Sequence, residues 1–319
     1  MRRRAFVATA GAAVVWPLIA RARLAKQPTI GVLVAGTPDP GPFLKALREG
    51  LRAFGYAEGR DVALEIRSAE GDPKRLSAVA AAFVRSKVDI IVAYQTPAVQ
   101  AAKLATHDIP IVMSSGDPVG TGLVASLAHP GGNITGMSGA TAETAAKNVQ
   151  LIRDVLPGVR RVGVLSNAAD PFSKPFLGQI EGAAKALGVA IRPAFARDVA
   201  DLDAAFAEMV RKPLDAVIVQ PSLGTTRPAA LALKHRLPAT SPNRPFAHAG
   251  GLMSYSNDSG QLWRRLAAFI DKILKGAKPA DLPVQQPTTF DLAINLRTAK
   301  ALGIAIPQPI LLRADEVIE

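Results

Sequence analysis

The 319-residue chain contains no cysteine. That one absence excludes disulfides, thiolate metal sites, cysteine nucleophiles and a lipid-modified cysteine anchor together. Histidine is scarce as well: His107, His129, His235 and His248 stand far apart, with no metal-ligand spacing among them. Aromatic residues make up 5% of the chain, and no long basic run interleaves with them. The formal charge of +12 therefore has no nucleic-acid-binding pattern behind it. No glycine loop ends in Gly-Lys-Ser or Gly-Lys-Thr, and the first apolar run leads into Gly36, Thr37, Pro38 instead of a dinucleotide fingerprint. No Gly-x-Ser-x-Gly elbow occurs, and no carboxylate pair stands out as acid and base. The expectation is a protein without metal or cofactor that is not an enzyme.

What is present is material for two cores. Hydrophobic residues are 49% of the chain, and 25 prolines and 26 glycines punctuate them without forming a repeat. At the amino terminus, Arg2, Arg3 and Arg4 precede an apolar stretch over residues 6–20, and Ala20, Arg21, Ala22 offer small residues at signal-peptidase spacing. This predicts a signal peptide over residues 1–22, cleaved near Ala22, and a periplasmic mature protein. The stretch is shorter than the roughly twenty residues a spanning helix needs, and Pro17 interrupts it. Arg3 and Arg4 also fit the twin-arginine pattern, so the export route stays open. Removing Arg2, Arg3, Arg4 and Arg21 lowers the formal charge to roughly +8.

From Thr29 onward, short β-branched runs alternate with longer Ala-rich helical patterns, the arrangement of parallel strands with crossover helices. Strands are expected at 29–35, 62–67, 89–93 and 109–114. Helices are expected at 43–54 and 97–106, with a third opening at Asp72 and Pro73. The second half repeats this order at an offset of about 130 residues. Gly31, Val32, Leu33 is echoed by Gly163, Val164, Leu165, and Pro42, Phe43, Leu44 by Pro175, Phe176, Leu177. Asp89 before an apolar run ending near Gln95 is echoed by Asp215 and Gln220. The fold class is α/β, with two doubly wound Rossmann-like lobes and a hinge. Ligands sit at the carboxyl ends of such strands, so two facing lobes enclose a cleft.

Small polar residues gather after those strands: Thr37, Gln95, Thr96, Ser115, Asp117, Asn167, Gln220, Ser222, Tyr255 and Asn257. Hydroxyls and amides at helix starts suit a carboxylate, and an acid such as Asp117 suits an ammonium. Turn or cap duty is the competing role for each, favoured for Asp39 and Asp72 beside their prolines. Tyr94 or Phe172 could supply a stacking face.

Several segments together resemble a known family. They are Gly116, Asp117, Pro118, Val119 continuing through Gly122 to Leu127; Pro130, Gly131, Gly132, Asn133, Ile134, Thr135, Gly136; Ala249 through Tyr255; and the tail from Ile273, with Leu282, Pro283, Val284, Gln285, Gln286, Pro287. The chain is similar over essentially its whole length to the ABC transporter substrate-binding proteins akin to the tryptophan-binding protein, of the type I periplasmic binding protein fold. The resemblance implies solute capture in the cleft, three crossings between lobes, and delivery to an ABC permease in the inner membrane by a monomer. It places lobe one at 28–138 plus about 257–287, and lobe two at 139–256 plus about 288–319. It supports ligand roles for the same loops and suggests an amino acid as solute. The chain departs from the family's common pattern at Ser166 to Pro171, at Leu223 to Arg227, and at Ser256, Asn257 after Tyr255. Two other classes remain open at this stage: a ligand-sensing regulator, whose DNA-reading helices would have to precede Thr29, and a Rossmann-type enzyme.

Overall fold

The computed structural model describes residues 27–36, 40–70, 72–139 and 141–319. The expected signal peptide and Thr37 lie outside the described residues. The first sheet is built from β1 (Thr29–Val34), α1 (Gly41–Ala53), β2 (Ala63–Ser68), α2 (Pro73–Ser86), β3 (Ile90–Tyr94), α3 (Thr96–Ala105), β4 (Ile111–Ser115) and β5 (Ile134–Ser138). Its strands run in the order β2-β1-β3-β4-β5, all parallel. The chain continues through α4 (Thr141–Val155), β6 (Arg161–Asn167), α5 (Ser173–Ala186), β7 (Ala190–Ala196), α6 (Leu202–Met209), β8 (Ala216–Val219), α7 (Thr226–Lys234), β9 (Ala239–Ser241), α8 (Pro245–His248) and β10 (Met253–Asn257). It then forms α9 (Ser259–Leu274), β11 (Phe290–Asn295), α10 (Leu296–Leu302), α11 (Gln308–Leu311) and β12 (Glu316–Ile318). The second sheet runs β12-β11-β10-β9-β8-β6-β7, with β10 and β11 antiparallel.

Read from the other edge, β7-β6-β8-β9-β10 reproduces the winding of β2-β1-β3-β4-β5, so the internal repeat of the sequence is a repeat of topology. Its signature residues do matching work. A side chain on Gly31 would come within 2.9 Å of the Phe83 ring on α2, and one on Gly163 within 2.7 Å of Met209 Sδ on α6. Glycine on the first strand of each lobe lets the helix opposite close onto the sheet. Asp89 Oδ2 accepts the backbone N–H of Thr29 at 2.7 Å, and Asp215 Oδ2 accepts those of Arg160 and Arg161 at 2.8 Å each. Each aspartate pins the start of its lobe's first strand to the start of the third. The helix expected at Asp72 begins there, with the Asp72 carboxylate accepting the Lys74 N–H at 2.9 Å and Pro73 in the first turn.

The chain passes between the two sheets three times. After β5 it packs α4 against α5 and β10; after β10 it packs α9 against α1; after residue 285 it returns to β11. Apolar residues of α9, including Leu262, Trp263, Leu266 and Ile270, join Ile30, Val32 and Leu47 in one core. Gln285 stays with the first sheet, accepting from Ser138 N–H at 2.8 Å and donating to the Gly136 carbonyl at 2.9 Å. Among the described residues, no helix is long and apolar enough to cross a membrane.

Removing the Asp215 carboxylate in Asp215→Ala is expected to cost about 1 to 2 kcal/mol at neutral pH, because two strand amides lose their acceptor. Burial pushes the Asp215 pKa up, but the Arg160 and Arg161 amides and the Arg161 charge outweigh it and hold it below the usual value. A depressed carboxylate stabilises above its unfolded pKa and loses that contribution as pH falls through the folded one. Urea unfolding at pH 7 and pH 3 should therefore show the penalty shrinking in acid.

Candidate functional site

Where the carboxyl ends of both sheets face each other, two cavities open between the lobes. An outer one of about 620 Å³ is walled by Phe43, Tyr94 and Trp263 from one lobe and Pro221 to Arg227 from the other. An inner one of about 80 Å³ continues from it, and the two share Tyr94, Gln95, Pro221, Ser222, Asn243 and Trp263. Apolar wall dominates the outer cavity, as expected of a small-molecule site. Burial pushes the Tyr94 phenol up to about 12, so it stays neutral.

Each end of the inner cavity has its own chemistry. On the first lobe, β4 ends at Ser115 and α3 begins at Thr96, and their buried hydroxyls lie 3.0 Å apart. They sit at the amino end of α3, where the helix dipole favours negative charge. On the second lobe, the turn after β6 buries Asp170, which is 5% exposed. Its Oδ1 accepts the Phe172 N–H at 2.9 Å and its Oδ2 the Gln220 Nε2 at 2.8 Å, while Gln220 Oε1 accepts the Asn167 N–H at 2.9 Å. This chain of bonds fixes the carboxylate from behind. Burial drives its pKa above the ordinary value despite the Ser222 hydroxyl and those two donors. Asn257 lines the inner cavity and donates through Nδ2 to the Gly139 carbonyl at 3.1 Å, joining two of the crossing segments.

Of the residues expected from sequence, Gln95, Thr96, Ser115, Asn167, Gln220, Ser222 and Asn257 line these cavities. Asp117 does not. It has φ +34°, and its Oδ1 accepts the Gly120 N–H at 2.9 Å, so its carboxylate is turned into the Asp117–Gly122 turn. Tyr255 does not either: its ring stacks on Phe290, with centroids 5.8 Å apart, against the second lobe's core. Sequence reasoning passed over Asp170, Asn243, Phe43 and Trp263. Asp170 precedes Pro171 and reads as a turn residue, and Trp263 falls on the apolar face of an amphipathic helix. Tyr94 and Phe172, weighed as stacking faces, both line the inner cavity. Among the described residues no group of His, Cys, Asp or Glu could hold a metal ion.

Two lobes, a hinge of crossing segments and an enclosed polar-and-aromatic cavity define a solute-binding protein. The family model for the ABC transporter substrate binding proteins matches residues 42–318, and the chain belongs to that family. The family consists of binding proteins, so this chain binds its solute and does not transform it. It is 28% identical over 287 residues to a tyrosine-binding protein of Clostridioides difficile, spanning 88% of this chain and 82% of that one. Among solved structures it is similar to a conserved domain protein of Vibrio cholerae (TM-score 0.85, 29% identity, covering 92% of this chain and 100% of the other). It is also similar to an ABC domain of Streptococcus pneumoniae in complex with L-Trp (TM-score 0.84, 29% identity, 92% and 100%).

The lobes meet closely at Gly36, where an added methyl would lie 2.9 Å from Gln95 Oε1 and 3.2 Å from the Ser222 carbonyl oxygen of the opposite lobe. Gly36→Ala is expected to prop the cleft and weaken solute binding by about 1 to 3 kcal/mol while leaving each lobe's core intact. Calorimetric titration paired with thermal unfolding of the ligand-free protein separates these effects.

Proposed function

We propose that the protein is the exported receptor of an ABC importer and captures an aromatic L-amino acid between its lobes for delivery to a membrane permease. In this reading residues 1–22 direct it to the periplasm as a monomer, and the lobes divide near residues 138, 257 and 287. The observation that carries the reading is the inner cavity's pairing of a buried carboxylate, Asp170, with the Thr96–Ser115 hydroxyls at a helix amino end. An α-ammonium meets the first and an α-carboxylate the second. The side chain then extends into the outer cavity against Phe43, Tyr94 and Trp263. The tyrosine-binding and L-Trp-bound relatives support the same solute class. Gln95, Asn167, Gln220, Ser222 and Asn257 complete the ligand set.

Because contacts come from both lobes, ligand binding favours the closed state. A thermal-shift screen tests the proposal: L-tyrosine or L-tryptophan at about 100 times its dissociation constant adds close to 3 kcal/mol of stability. Dicarboxylates and sugars should add nothing, and a response to them alone contradicts the assignment.

Asp170→Asn is expected to lose about 2 to 5 kcal/mol of amino-acid affinity, since an ammonium would face a neutral amide in a dry site. The Asp170 carboxyl must be ionised to hold a cation, and burial raises its pKa. Wild-type affinity should therefore fall on acidification at a pH above the ordinary carboxylate range, and the Asp170→Asn variant should lack that step. Calorimetric titrations between pH 4 and pH 8 check both.

A further inference from the structure

Outside the cleft, one guanidinium stands among several carboxylates where the crossing segments leave the second lobe. Arg244 lies in the loop between β9 and α8, directly after Asn243, which lines both cavities. Its Nη1 donates to Asp291 Oδ2 at 2.8 Å, and its Nη2 and Nε donate to Glu316 Oε2 at 2.9 and 3.2 Å. His248 Nε2 lies 3.2 Å from the same Glu316 oxygen. Asp258 is within electrostatic range of both Arg244 and Asp291. Burial, reinforced by Asp258 and Asp315, holds the Asp291 pKa above its ordinary value against the Arg244 charge.

Each carboxylate belongs to a different part of the hinge. Asp291 lies at the start of β11, where the third crossing enters the second sheet. Asp258 ends the second crossing's strand, and its carboxylate starts α9 by accepting the N–H groups of Gly260 and Gln261 at 2.9 and 3.2 Å. Glu316 lies on β12, the edge strand. The second and third crossings leave the lobe side by side, with Ser256 opposite Asp291 and Asn257 opposite Phe290. Asn257 reaches the first crossing through the Gly139 carbonyl. A contiguous path therefore runs from Asn243 in the cavity wall, through Arg244 and Asp291, to all three crossings. The Ser256 hydroxyl across from Asp291 is buried without a partner, so the Asp291 carboxylate rests on the guanidinium. Removing that cation would leave carboxylates unpaired and opposed to one another.

We infer that Arg244 is the positioning residue of the hinge: it holds the exits of the second and third crossings in one arrangement on the second lobe, and so sets how readily the lobes close and where Asn243 stands in the cleft. A planar guanidinium binds carboxylates from two strands at fixed angles, which a single ammonium does not. Bending is thereby confined to the segments beyond Asp258 and before Asp291. None of Arg244, Asp291 and Glu316 lines either cavity, so the inference does not depend on which solute the cleft takes.

The chain has no cysteine, so spin labels on Leu104→Cys in α3 and Leu233→Cys in α7, exposed positions on different lobes, report lobe separation in the full mature protein without solute. Arg244→Met keeps the aliphatic stem, removes the charge, and is expected to broaden the distribution of inter-lobe distances. Adding Asp291→Asn removes the stranded carboxylate and should recover most of the wild-type distribution, a rescue that lost packing alone would not give. Arg244→Lys keeps the charge and should fold even where Arg244→Met does not; without the fork its distribution should lie between wild type and Arg244→Met. Wild-type width in Arg244→Met or Arg244→Lys, or a double variant as broad as the single one, overturns the inference. Calorimetric titration with L-tryptophan should show Arg244→Met binding about 3- to 10-fold more weakly and the double variant recovering, because apparent affinity follows the fraction competent to close. The factor is modest because the Arg244 side chain is 38% exposed and its pairs are partly screened. A wild-type protein that ignores L-tryptophan counts against the amino-acid reading, and the distance measurement still decides the role of Arg244.

Discussion

A carboxylate buried where two lobes meet has to be neutralised, and most of the site's organisation follows from that requirement. Asp170 is held by the Phe172 amide and the Gln220 side chain, with the Ser222 hydroxyl beside it, and Gln220 is held by the Asn167 amide. These donors are neutral and sit on one lobe, so they fix the carboxylate without supplying its counter-charge. Burial wins over them and drives the pKa up. Under the proposed reading, the ammonium of the solute supplies that counter-charge.

The rest of the fold serves to hold that carboxylate opposite its complement. Each lobe winds its strands in the same order, and each aims its polar loops from the carboxyl edge of its sheet. Asp89 and Asp215 anchor the first strand of their respective lobes in equivalent ways. The helix α9 belongs by sequence to the end of the second sheet but packs its apolar face on the first, so that Trp263 reaches the cavity. Membership of the ABC transporter substrate binding protein family accords with this construction, in which both lobes contribute residues to the cavities between them.

Much of this was legible in the sequence. The duplicated α/β order was readable because the repeat preserves residues with local mechanical roles, such as Gly31 and Gly163 beneath their helices. Seven of the polar residues that follow strands line the cavities, because strand ends in such sheets open toward the cleft whatever their partners. Asp117 and Tyr255 have other surroundings. The Asp117 carboxylate finds a backbone amide three residues on, a local bond that needs no ligand. Tyr255 shares the face of β10 that also carries Met253 into the core, a consequence of strand register that a loop-centred reading overlooks. Asp170 went unrecognised because its role depends on Gln220, fifty residues away, and on burial that no local pattern encodes.

The most direct test of the account is the titration of the Asp170 carboxyl itself, followed by carbon NMR on protein labelled at aspartate, with and without L-tyrosine or L-tryptophan. The ligand-free protein should show this carboxyl titrating above the usual aspartate range, and the ligand should move the midpoint to lower pH by supplying its counter-charge. A midpoint indifferent to a bound amino acid would contradict the account.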